Sequence, residues 1–164
     1  MVKKIVIIII VIIAAVVAYN FLLETEEDKV KKRFTLFAEL IEKEPGETNL
    51  TMARKSRRIG AMATNPVMVT VPEYHASGSY ARQEIARRMA MGRTRFTQLS
   101  ITFSDLSVEI TDENNADANV TARVTGKKLN SEPFEGTHEL LCRLKKVQDE
   151  WLFNQVEVVD VLEK

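Results

Sequence analysis

Few residues in this sequence pair a reactive side chain with a setting that could use it, and the first is His138. The stretch FEGTHELLCRL, residues 134–144, alternates like a strand with one face buried. Phe134, Gly136, His138, Leu140, Cys142 and Leu144 share that face, while Glu135, Thr137, Glu139 and Arg143 lie on the other. An imidazole on an apolar face can move a proton, anchor a ligand, or sit neutral with one nitrogen bonded to a carbonyl or hydroxyl. No activating partner adjoins it in sequence, so these alternatives stay open. Asp105 is the second candidate. The apolar parity changes around it, from Leu99, Ile101 and Phe103 to Leu106, Val108 and Ile110. A β-bulge near Ser104-Asp105 would keep all six residues on one face and re-aim a side chain. Tyr74, in the loop PEYHASGS, and Tyr80, at the start of the helix after it, are candidates for ligand contact or for packing, and His75 reads as an exposed loop residue.

Other chemistries find less support. Cys142 is the single cysteine, which excludes an intrachain disulfide, and on an apolar face a thiol is usually an inert small hydrophobe. No pair of histidines has zinc-ligand spacing, and no glycine-rich phosphate loop or Ser/Cys nucleophile motif is present, so neither metal nor cofactor is expected. The run RKSRR carries Arg54, Lys55, Arg57 and Arg58, and Arg82, Arg87, Arg88, Arg93 and Arg95 follow. Such a run is either a solvated helix face or a positive rim for an anionic ligand, a partner's acidic face or lipid headgroups.

The elements that must position these residues can be read from periodicity. Residues 5–18, IVIIIIVIIAAVVA, are wholly apolar, and the run continues to Leu23 with Asn20 interrupting it. At the helical rise, Ile5 to Leu23 spans roughly 28 Å, close to the hydrocarbon thickness of a bilayer. Lys3 and Lys4 before it also suit a signal peptide with cleavage after Ala18, but no polar segment precedes that site, which favours an uncleaved anchor over residues 1–23. Basic residues 29–33 compete with Lys3 and Lys4 under the positive-inside rule. The short amino tail and the ease with which large domains translocate place the domain outside the cytoplasm, on a single-pass inner-membrane protein.

Residues 24–164 carry 21 basic and 23 acidic residues, a net charge of −2, which gives no support to nucleic-acid binding. TEED at 25–28 signals a helix start, and Val30, Phe34, Phe37, Ala38 and Ile41 recur at helical spacing until EPGE at 44–47. A second helix is expected from about Leu50 to Ala63, stopped by Asn65-Pro66, and VMVTV at 67–71 is a short strand. The loop comes next, then a third helix from about Tyr80. From Gln98 the period becomes two, with turns at DENNAD (112–117) and QDE (148–150). Three helices followed by a meander of long strands indicate an α+β fold, with helices over one face of a curved antiparallel sheet.

This order, with VPEYHASGS, ARQEIARRM, the bent strand ITFSDLSVEI and the closing HELLCRLKKVQDEWLFNQVEVVDVL, resembles the NTF2-like (nuclear transport factor 2-like, SnoaL-like) superfamily over roughly residues 29–162. The resemblance implies a cone, with helices folded over a concave sheet and a cavity between them, and a homodimer formed through the sheet. Some members are isomerases, dehydratases or cyclases, and many others bind or assemble. The expectation is therefore a membrane-anchored, non-catalytic NTF2-like module for a protein partner or small apolar ligand. The alternative is a tethered isomerase or dehydratase using His138 with Asp105 or a tyrosine.

Overall fold

Helix α1 (Glu26–Ile41) starts where TEED predicts. The Thr25 hydroxyl accepts from the Asp28 backbone N–H, and the Asp28 carboxylate accepts from the Thr25 backbone N–H, a reciprocal cap. Glu26, Glu27 and Asp28 sit in the first turn, where the helix dipole favours negative charge. Val30, Phe34 and Ile41 are buried along the inward stripe. Helix α2 (Asn49–Ala61) is capped by Thr48 and buries Ser56, Ile59 and Gly60. Strands β1 (Ala63–Val71) and β2 (Ala76–Tyr80), helix α3 (Arg82–Thr94) and strands β3 (Phe96–Ile110), β4 (Asn115–Lys128), β5 (Pro133–Val147) and β6 (Glu150–Val161) complete the chain.

The computed structural model describes residues 24–72 and 76–161, together with Ile9, Ile12 and Ile13, which have helical backbone and are exposed. The expected span over residues 5–23 otherwise lies outside the described residues, as do Tyr74 and His75. Among the described residues no helix is long and apolar enough to cross a membrane.

The six strands form one sheet in the order β2-β1-β6-β5-β4-β3. Strands β3 to β6 form an antiparallel meander, whereas β1 lies parallel to β6, so the sheet is mixed rather than wholly antiparallel. Two expectations change. The second helix ends at Ala61, and β1 runs through Asn65-Pro66, where the pairing with β6 is irregular and a proline without an N–H is tolerated. The loop expected before the third helix holds β2, which pairs antiparallel with β1 from Val67↔Tyr80 to Val71↔Ala76. The bulge in β3 is present: register shifts between Ser104 and Ser107, with Asp105 at φ +53°. It brings Phe103 opposite Ala122 and Val108 opposite Ala118, so both halves of the strand keep their apolar residues on the helix side.

On that side the inward face of β4 is Ala116, Ala118, Val120 and Ala122, all buried, beside Cys142 and Leu144 of β5. Phe34 of α1 meets the rings of Phe103 and Phe153 edge-on at 5.4 and 5.1 Å, a favoured aromatic geometry that fixes α1 across the sheet. Trp151, 1% exposed, donates its indole N–H to Glu26 Oε2 at 2.8 Å and joins the start of α1 to β6. Lys146 lies 3.1 Å from the same Glu26 oxygen. Hydrogen bonds from Lys29, Trp151 and Lys146 pull the Glu26 carboxyl down to about 2, so it is charged across the neutral range.

Candidate functional site

Between the helices and the sheet lies a cavity of about 270 Å³. Phe34 and Phe37 of α1 and Phe103 and Phe153 of the sheet form its aromatic wall, and Phe37 lies 5.9 Å from Phe153, centroid to centroid. Ile59, Ile85 and Met89 close it from α2 and α3, while Val67, Val69, Leu140, Cys142 and Val156 floor it from the sheet. Burial pushes the Cys142 thiol up to about 12, so it lines the cavity as a neutral hydrophobe and not as a nucleophile. A space of this size lined by carbon is suited to a compact apolar molecule, since engineered apolar cavities of roughly 150 Å³ already take benzene.

Among the described residues Arg88 is the one charged residue in the wall. Its side chain is 58% exposed, so the stem borders the cavity while the guanidinium stands at the mouth. Nε and Nη2 both donate to Glu84 Oε1, at 3.0 and 2.8 Å. The guanidinium carbon lies 4.8 Å from the centroid of the Tyr80 ring, within cation–π range. Tyr80 in turn packs on Gly78, where a Cβ would come within 2.9 Å of the ring. Tyr80, expected as a ligand contact, thus reaches the mouth through Arg88 and does not line the wall.

His138 is half-buried on the helix side of β5, opposite Ala122, and lies outside the cavity wall. Its Nδ1 is buried with no hydrogen-bond partner among the described residues, and its Nε2 lies toward Gly136, 3.2 Å from where a Cβ would stand. Asp105 is exposed at its bulge on β3, the sheet edge, and β4 lies between it and the strand of His138. No hydrogen bond joins the two among the described residues. Tyr74 lies outside the described residues. Arg54, Arg57 and Arg58 are exposed on α2, whereas Lys55 turns inward and donates to Glu42 O at 2.7 Å and Glu47 Oε2 at 2.9 Å. Among the described residues no three His, Cys, Asp or Glu side chains group as metal ligands.

Lys55 belongs to a polar cluster that positions the helices around the cavity. Arg93, at the end of α3 and 1% exposed, donates to Leu40 O (2.8 Å), Ile41 O (2.5 Å) and Glu42 O (3.2 Å), and pairs with Glu47 Oε1 at 2.6 Å. It therefore caps α1, whose own last turn carries no basic residue. Lys43, just past α1, donates to Arg93 O and Phe96 O at 2.8 and 2.7 Å, so each chain end caps the other helix. Gly60 lets α2 and α3 approach closely, since a Cβ there would lie 2.6 Å from Arg82 O and 3.0 Å from Ala86 Cβ.

Neither a family model nor a curated protein matches the sequence. Solved structures do match the fold. A Kribbella flavida protein superposes with a TM-score of 0.70 at 11% identity, covering 85% of this chain and 93% of its own. A scytalone dehydratase candidate from Novosphingobium aromaticivorans gives 0.65 at 14% identity, covering 85% and 87%. An NTF2-like protein with a cystatin-like fold from the same organism gives 0.65 at 11% identity, covering 91% and 88%. At these identities the likeness is one of fold: an α+β, cystatin-like architecture with three helices and a curved sheet, shared with NTF2-like proteins.

Proposed function

We propose that this protein is a membrane-tethered, non-catalytic binding module whose cone takes a small apolar ligand. The observation that carries the reading is the cavity of about 270 Å³ whose wall, among the described residues, is aromatic and aliphatic with a single charged residue at its mouth. Such a wall removes apolar surface from water, about 25 cal/mol per Å², and offers no pair of polar groups converging on one bound atom. The tether is residues 5–23, supported by an apolar run that only Asn20 interrupts. The domain then stands outside the cytoplasm at the inner membrane. The sheet face away from the helices exposes Met68 (47%) and Leu141 (44%), which favours a homodimer through that face. Exposed Arg54, Arg57 and Arg58 suit an acidic surface on a protein partner.

Toluene, small and neutral, tests the cavity. At ten times its dissociation constant it should stabilise the full-length protein by about 1.4 kcal/mol and raise the thermal midpoint by roughly 3–5 °C. Val156→Trp, which fills the space from the sheet side, should remove that shift. A wild-type midpoint unmoved by saturating toluene would refute the ligand reading.

A second reading, a tethered isomerase or dehydratase using His138, has the unpartnered buried Nδ1 in its favour. It requires His138 to reach a bound molecule. Its C2-proton resonance should then shift on ligand binding in step with the cavity methyl groups, and a static resonance would eliminate the reading.

A further inference from the structure

We propose that the ligand is an amphiphilic monocarboxylate, with its apolar body in the cone and its carboxylate on the open edge of Arg88. The inference rests on the cavity reading above and adds the head group. Arg88 presents five N–H donors in a planar fork. Glu84 occupies one side of that fork, taking Nε and Nη2 on a single oxygen. The Nη1/Nη2 end is left free among the hydrogen bonds of the described residues, and it is the edge that matches a carboxylate with two parallel hydrogen bonds. The guanidinium is held in place before a ligand arrives, by Glu84 on one side and the Tyr80 ring 4.8 Å below it. Preorganisation of this kind lowers the ordering cost of binding.

Position and charge narrow the class further. The stem of Arg88 borders the wall while its head is in water, so the ligand must be apolar at one end and charged at the other. The Arg88–Glu84 pair is neutral overall, and a second negative charge on the ligand would meet the Glu84 carboxylate with no further cation in the wall among the described residues. A singly charged head is therefore favoured over a phosphate dianion. The cavity holds on the order of nine water-sized volumes, enough for a short chain or one ring but not a complete membrane lipid.

The test uses the full-length protein with octanoate and octanol, which share a chain length and differ in the head. Calorimetric titration at low salt should find octanoate bound at least tenfold more tightly, with the difference shrinking as salt screens the exposed guanidinium. Arg88→Gln should abolish the preference and leave octanol affinity within about twofold, while Glu84→Gln should enlarge it, because the competing carboxylate is gone. Equal affinities, or a preference that survives Arg88→Gln, would overturn the carboxylate assignment while octanol and toluene binding kept the cavity reading intact. Failure of octanoate, octanol and toluene alike would remove both.

Discussion

Arg93→Met tests the way the helix ends are held together. The side chain is 1% exposed and its partner Glu47 6%, and the guanidinium serves three backbone carbonyls besides that carboxylate. Methionine keeps much of the volume but takes the Arg93 donors from Leu40 O and Ile41 O at the end of α1, and leaves Glu42 O and Glu47 with Lys55 alone. Removing one member of a buried pair typically costs about 3–5 kcal/mol, and that is the loss expected here. Glu47→Gln should cost less, about 1–3 kcal/mol, since Arg93 keeps its carbonyl acceptors. Urea unfolding can be followed through Trp151, the only tryptophan, which is buried and will report global exposure.

The pH dependence has a definite sign. Burial alone would raise the Glu47 pKa, but hydrogen bonds and charge from Arg93 and Lys55 outweigh it and hold the value below the ordinary 4.5. The folded form therefore keeps its carboxylate to lower pH than the unfolded chain. The stabilisation is complete above about pH 4.5 and drains away as pH falls through the lower folded value. Wild-type protein should lose stability more steeply below pH 4.5 than Glu47→Gln does. A cost under about 1 kcal/mol for Arg93→Met, with parallel acid curves, would mean that water already serves these carbonyls and that the cluster does not hold the helices.

Two further substitutions probe single positions. His138→Leu removes a buried nitrogen that has no partner among the described residues and should stabilise the protein by roughly 1 kcal/mol in the same urea assay; a loss would show that Nδ1 is satisfied in solution. Gly60→Ala gains about 1 kcal/mol of helix propensity but forces α2 away from Arg82 O and Ala86 of α3, so a net loss of about 1–2 kcal/mol is expected, and a gain would contradict the close helix crossing.

Much of this architecture is legible in sequence because it depends on local rules. The cap at Thr25 and Asp28 and the bulge at Asp105 each leave a short-range mark: a spaced pair in one case, a switch of apolar parity in the other. Strand β2 leaves none. Ala-Ser-Gly-Ser-Tyr has no β-branched residue and no alternation, and its strand geometry comes from the edge that β1 offers it. Arg93 is illegible for a related reason. It stands among Arg87, Arg88 and Arg95, which read as a solvated series, and its burial depends on α1 ending 52 residues earlier in the chain, at Ile41. The face that His138 occupies follows from alternation, but its place beyond the cavity wall depends on sheet curvature and helix position, which no local pattern encodes.

The bond between Trp151 and Glu26 also has a mechanical meaning. A pull arriving through residues 24 and 25 reaches α1 at its first turn, where Glu26 is fastened to Trp151 and Lys146 and, two turns on, Arg33 is fastened to Glu150. These fastenings lead into β5 and β6, adjacent interior strands, and not into either edge of the sheet. Load is thus shared across neighbouring rows of hydrogen bonds instead of peeling an outer strand open one bond at a time, so the domain can hang from its amino end under tension while the cone above stays closed.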